Sequence, residues 1–509
     1  MKAFFPTLLV ALLATSMVAI PALATTDPVA AWNTTQPDQP AIVLVQNATI
    51  WTSAEAGNLE NADLLIRAGK ITEIGTDLTA PADAVVIDAS GKHVTAGLID
   101  AHSHSAIIGG VNEATNISTA EVRIGDVVNG ESVQIYRQLA GGVTAISLLH
   151  GSANSIGGQN HVIKMRWGAT PEELTFTDAP EGIKFALGEN PKQSNWGLPD
   201  ELMRYPQTRQ GVEQSIRERF QAAVDYRDAW AEWRAKSQAG ERLAPPRKDL
   251  NLDAMVEIMD GTRLVHSHSY RGDEILMLIR LAEEFGFTVA TFQHVLEGYK
   301  VADELAAHGA GASAFSDWWA FKYEVRDAIP WAGAIMWDRD VLVSFNSDSS
   351  ELARRMNLEA AKAVRYGGVP EAEALKFVTL NPAIQLGIDT WVGSLEVGKD
   401  ADFVIWNGHP LSTLSRADQT WVDGRKYFDR ERDLVLREEI IAERTALLDK
   451  VRAASESEDG EDSGPPTELE TPSWLVWQDA HDEYCFAHDH DHGHGHDEHA
   501  HHHTTGEDH

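Results

Sequence analysis

Eight short apolar runs, at 93–101, 143–149, 162–167, 182–187, 263–266, 287–292, 310–315 and 341–346, are separated by stretches whose apolar residues recur at helical spacing. Strand-like runs that alternate with helices pair in parallel, and eight such units is the number that closes a barrel. The sequence therefore predicts an α/β fold, a (β/α)8 TIM barrel over 93–387. Chemistry in such a barrel sits at the C-terminal strand ends. The polar residues just after each run are the ones to examine.

Those residues repeat one theme. The first run ends in His102-Ser103-His104, the fifth in His266-Ser267-His268, the sixth in Gln293-His294 and the eighth in Asn346-Ser347-Asp348. Residues two apart on a strand share a face, so each His-x-His pair can approach one ion from one side. A single pair of this kind is common by chance, and a lone histidine on an apolar strand is usually a satisfied core residue. Repetition at successive strand ends is what points to a metal centre. The fourth run offers Lys184 within it and Glu189 just past it.

Flanking the barrel are two small β units, at 41–92 and 388–430, with short alternating strands and Asn-, Gly- and Asp-containing turns. A helix-patterned stretch at 205–261 interrupts the barrel rhythm; it is either a cap over the mouth or an ordinary outer helix made longer. A helix is expected at 431–453. The remainder, 454–509, is acidic and then His-rich, and reads as disordered, with loose metal capture, a purification tag or a solubilising tail as its alternative roles. At the other end, Lys2, the apolar stretch 4–20 and Pro21-Ala22-Leu23-Ala24 read as a signal peptide over 1–24, with an uncleaved anchor as the alternative. Export to the periplasm or medium is the expectation, and the single Cys485 excludes an intrachain disulfide.

The run from Val94 to His104, with Gly97 and Asp100 ahead of the histidine pair, resembles the opening signature of the amidohydrolase superfamily, imidazolonepropionase-like branch. Gly398-Lys399-Asp400-Ala401-Asp402 and Asn381-Pro382-Ala383 extend the resemblance, which covers 42–428. It implies that the two β units pair into a sandwich beside the barrel, and that Lys399, Asp400 and Asp402 are structural. It also implies metal ligands at His102, His104, His266, His294 and Asp348, with His268 orienting substrate or supporting a ligand. A bridging group is expected on the fourth strand. Glu189 is preferred because a carboxylate needs no modification to bind a cation, and a carboxylated Lys184 is the second choice. Asp348 is the expected catalytic base.

The implied cofactor is one or two divalent ions, Zn first, with Mn, Co and Ni open. Such an ion lowers the pKa of water from about 16 to about 7. The expected reaction is hydrolysis of a C–N bond in an amide, cyclic amide or dipeptide. A deaminase of the same superfamily and a periplasmic metal-binding protein working through its His-rich tail are the alternatives. A carbohydrate-binding module rests only on the many tryptophans. Two loops are candidates for selecting substrate. The Gly-rich 151–159 either approaches ligand closely or is a plain turn. The stretch 316–324 offers Lys322 as a carboxylate anchor, its two tryptophans serving as pocket wall or core. A formal net charge of −35 disfavours nucleic acid and anionic membrane as partners and leaves a small molecule as the expected one. Monomer and homo-oligomer are both open.

Overall fold

The structure is a computed structural model that describes residues 36–192, 203–318 and 322–457. The expected signal peptide, and the tail from 458 onward, lie outside the described residues. Five strands come first: β1 Ile42–Trp51, β2 Asn58–Arg67, β3 Lys70–Gly75, β4 Val85–Asp88 and β5 His93–Ala96. Eight barrel strands follow: β6 Leu98–Ser103, β7 Val143–Leu148, β8 Ile156–Lys164, β9 Glu181–Ala186, β10 Arg263–Ser269, β11 Val289–His294, β12 Gly311–Ala314 and β13 Val343–Phe345. The last three are β14 Phe403–Trp406, β15 Ala417–Val422 and β16 Arg425–Asp429.

Both ends of the described chain build one sheet, in the order β16-β15-β14-β5-β1-β2-β3, with β4 also on β1. Alternation in β1 divides its side chains between two faces. Val43 and Val45 join Leu64, Ile66, Val94, Phe403 and Trp421 in one core, while Ile42 and Leu44 pack with Leu65. The seam between the halves is β5 against β14, antiparallel.

The expected first barrel strand is two strands. Its first half belongs to the sheet domain, and the chain crosses to the barrel at Gly97. No side chain fits there, since a Cβ would lie 2.0 Å from Thr144 Oγ1. The barrel then runs in order from β6 to β13, with one departure from a fully parallel ring. β8 lies antiparallel to both β7 and β9, and it begins inside the Gly-rich stretch. Gly157 and Gly158 are strand residues pressed onto His150, at 2.8 and 3.0 Å from where a Cβ would sit. That stretch therefore packs rather than reaching freely toward a ligand.

At the eighth-to-first seam β13 is too short for a full ladder. Asp348 N–H donates to the His102 carbonyl (3.1 Å), and Ser347 donates through both N–H and Oγ to the Asp100 carboxylate. The interrupting segment is the outer helix made longer. In helix Arg209–Gln238, Val212, Ile216, Phe220 and Ala223 recur at spacings that put them on one face against the barrel, and the second half is largely exposed.

One buried ionic cluster ties the sheet domain to the barrel. Lys164, at the end of β8, reaches Asp400 (2.7 Å), Asp402 (3.2 Å) and Asp423 (2.5 Å). The structural role implied for Asp400 and Asp402 is thus an ion pair with the barrel. The C-terminal helix runs Arg430–Ser457, a few residues beyond the expected end. None of the described helices is long and apolar enough to cross a membrane.

Candidate active site

The strands converge on a buried cluster. His102 lies on β6 and His104 just beyond it; Lys184 is on β9, His266 and His268 on β10, His294 is the last residue of β11, and Asp348 follows β13. All seven are buried. Asp348 and His294 are held in the left-handed backbone region, at φ of 46° and 67°. Non-glycine residues there cost about 1–3 kcal/mol, and such strain collects at functional sites because the fold must overrule it. Here it turns both side chains into the cluster.

Hydrogen bonds fix which nitrogens face inward. His104 Nδ1 lies 2.9 Å from the Leu149 carbonyl, which only accepts, so Nδ1 carries the proton. His102 Nδ1 faces Gln293 Oε1 at 3.3 Å in the same sense. The His102 ring is neutral, since burial first, and then the Lys184 charge, hold it well below the ordinary imidazole range. Burial, partly opposed by Asp348, likewise takes His294 down to about 3. A neutral imidazole with Nδ1–H presents a bare lone pair at Nε2.

Three potential ligand atoms crowd one point. His102 Nε2 and His104 Nε2 are 3.4 Å apart, and Asp348 Oδ1 is 3.4 Å from the first and 3.2 Å from the second. His294 Nε2 is 3.6 Å from Asp348 Oδ2. His102, His294 and Asp348 offer ligand atoms all within 4.8 Å of one another. Ligands at about 2.0–2.1 Å from a tetrahedral ion stand about 3.3–3.4 Å apart. The donor set and its spacing fit a divalent ion. They also show the outer hydrogen bonds, to a carbonyl and an amide, that orient metal-binding histidines.

Three expectations change with the geometry. Glu189 is not in the cluster. Its carboxylate is 3.1 Å from Lys322 Nζ, and its N–H donates to Glu324. Lys184 is in it, with Nζ 3.2 Å from His102 Nε2. On β10 the two histidines differ in depth. His266 lies level with Lys184, one layer deeper, whereas His268 lies level with Gln293, and its ring centroid is 4.8 Å from that of His294. The two share a face, so spacing alone could not separate them. Lys322, expected at the substrate, lies over the Tyr270 ring at 4.6 Å and holds Asn190 Oδ1 at 3.1 Å.

Several participants were given no role at the site by the sequence reading. Tyr270, two residues past His268, sets its ring 4.5 Å from that histidine. Asp100 accepts from His102 N–H and from Ser347, and its burial pushes it up to about 7 against those hydrogen bonds. Arg209 joins Glu274 (2.7 Å) and Glu324 (2.6 Å) beside the mouth. Asp100 and Tyr270 each lie two residues from a site histidine on the same face. That is the signal that could have found them.

A solved structure from Thermotoga maritima MSB8, described as an amidohydrolase, is 33% identical to this chain, covers 76% of it and all of its own length, and superposes with a TM-score of 0.69. The chain belongs to the amidohydrolase family. The Amidohydrolase family model matches this amidohydrolase over residues 263–427, which contain His268, His294 and Asp348. Amidohydrolase tasK of Hapsidospora irregularis is 30% identical over 427 residues, 76% of this chain; those residues span 43% of the tasK length. The imidazolonepropionase of Thermoplasma volcanium is 24% identical over 380 residues, 69% of this chain and 85% of its own. The amidohydrolase is accordingly a hydrolase acting on C–N bonds, on a TIM barrel with an attached sheet domain.

Proposed function

We propose that this amidohydrolase cleaves the amide bond of a small carboxylate-bearing substrate, such as a dipeptide, N-acyl amino acid or cyclic amide, at a centre of one or two divalent ions. His102, His104, His268, His294 and Asp348 would hold them. The observation that carries the reading is the convergence of His102 Nε2, His104 Nε2 and Asp348 Oδ1, 3.2–3.4 Å apart, at the spacing of ligands around one divalent ion. When bound, a divalent ion, zinc first, supplies a water of lowered pKa and polarises the carbonyl.

The rest is the work of side chains. Among the described residues none donates a hydrogen bond to Asp348 Oδ1, which can take the proton of the attacking water and return it to the leaving nitrogen. Lys184 is the bridging candidate. Protonated, it is a buried cation among imidazoles; its neutral amine can add to carbon dioxide with release of a proton, giving a carbamate, an anion of the sort metal ions accept. Lys322 sits close enough to depress His268 and His294, though less than their burial does. It orients the substrate carboxylate in place of Glu189. We extend the proposal to export, on the strength of the amino-terminal segment, with the amidohydrolase working in the periplasm or medium.

The test is turnover by the full chain on a panel of dipeptides, N-acyl amino acids and cyclic amides, beside Asp348→Asn. The expected result is release of amine from at least one class, reduced about 10²–10⁴-fold in the variant. Equal turnover by both proteins would overturn the assignment of Asp348.

A further inference from the structure

A second cleft has chemistry opposite to that of the molecule as a whole. The chain has 42 Lys and Arg against 77 Asp and Glu. Yet a cleft of 470 Å³ between the end of helix Val133–Leu139, the start of helix Met356–Gly367 and the C-terminal helix is lined by Arg354, Arg355, Arg416, Arg430 and Arg437 with one carboxylate, Glu351. Glu351 is taken by Arg354 (2.7 Å), and Arg437 is taken by Asp433 (2.7 Å). Among the described residues, Arg430 donates only to the backbone carbonyls of Ala417 (2.8 Å) and Ala140 (3.4 Å). Among the described residues, the side chains of Arg355 and Arg416 have neither an ion pair nor a hydrogen bond. Burial first, and then Arg416, pull Arg430 below its usual range, with Asp433 and Asp418 acting against them. Like charges are being held together.

The backbone holds them there. A Cβ on Gly141 would lie 2.5 Å from the Arg354 carbonyl oxygen, so only glycine lets the 354–355 turn seat at this spot. The twelve-residue helix Met356–Gly367 starts here, with Arg355 at its N-cap and no side-chain cap. Its first-turn residues Asn357 and Leu358 line the cleft. An uncapped helix start adds partial positive charge and amide donors. Three guanidinium groups without an acid partner call for more than one negative charge, and their planar forks match the oxygens of a phosphoryl group.

We infer that this cleft is a binding site for a compact phosphate-bearing anion, separate from the metal centre. Inorganic pyrophosphate is the probe, titrated calorimetrically into the full chain at low and high ionic strength. The expected result is one saturable site per chain, weakened by salt and weakened about tenfold or more by Arg355→Gln/Arg416→Gln, but kept in Asp348→Asn. Each single arginine variant should weaken binding part-way, and thermal unfolding confirms that each is folded. Unchanged affinity in the folded double variant, loss in Asp348→Asn alone, or no saturable binding would overturn the inference.

Discussion

Lys164 joins the barrel to the sheet domain, and Lys164→Met removes its charge at nearly constant length. Burial disfavours a charged amine there, but Asp402, Asp423 and Asp400 outweigh it and hold Lys164 protonated. Each pair at about 3 Å is worth about 5 kcal/mol at an effective dielectric of about 20, before desolvation takes back most of it. Breaking a buried ionic group from one side costs about 3–5 kcal/mol, because the partners stay buried and uncompensated. At about 1 °C per kcal/mol for a chain of this size, the melting midpoint should fall about 3–5 °C, read by circular dichroism near neutral pH. Asp402, fully buried and pushed up to about 7 by that burial, is the partner most easily neutralised. Lys164→Met/Asp402→Asn should therefore recover part of the loss. A single variant melting within about 1 °C of the parent would refute the cluster as the clamp between domains.

Acid should destabilise the metal-free chain through its histidines. Burial takes His150 and His266 down to about 4 and His294 to about 3. As the pH falls below the unfolded value of about 6.5, the unfolded chain binds protons that the folded chain refuses, so stability present above 6.5 is lost down to the folded values. Each of the three should cost about 2 kcal/mol by pH 5, and urea midpoints that stay flat from pH 7 to 5 would contradict this. Lys322→Met should raise KM for carboxylate-bearing substrates about tenfold with kcat changed much less, since the contact is made equally in ground and transition states. A fall in kcat at constant KM would instead place Lys322 in the chemistry.

The sequence carried the barrel because its strands are apolar runs with polar ends. It carried His102, His104, His294 and Asp348 because those ends are where the fold puts side chains together. What it hid has physical causes. Lys184 sits a layer below the cluster in sequence register, and only the length of its side chain brings Nζ to His102. Glu189 looked right for its charge and position, but the loop after β9 turns it to Lys322. Strand direction leaves no mark on an apolar run, so the reversal of β8 was invisible, as was the partner that Asp400 and Asp402 were waiting for. Gly97 was legible as part of a motif, whereas its reason, the contact with Thr144, is a tertiary fact.

The most direct test of the central claim is the divalent metal content of the purified full chain, compared with His102→Ala/His104→Ala, with hydrolysis measured on the same samples. Both proteins keep the His-rich tail, so its loosely bound metal cancels in the difference. The account predicts one or two more ions per chain in the parent, and turnover in the parent alone. Equal metal in the two proteins, or undiminished turnover in the variant, would contradict it.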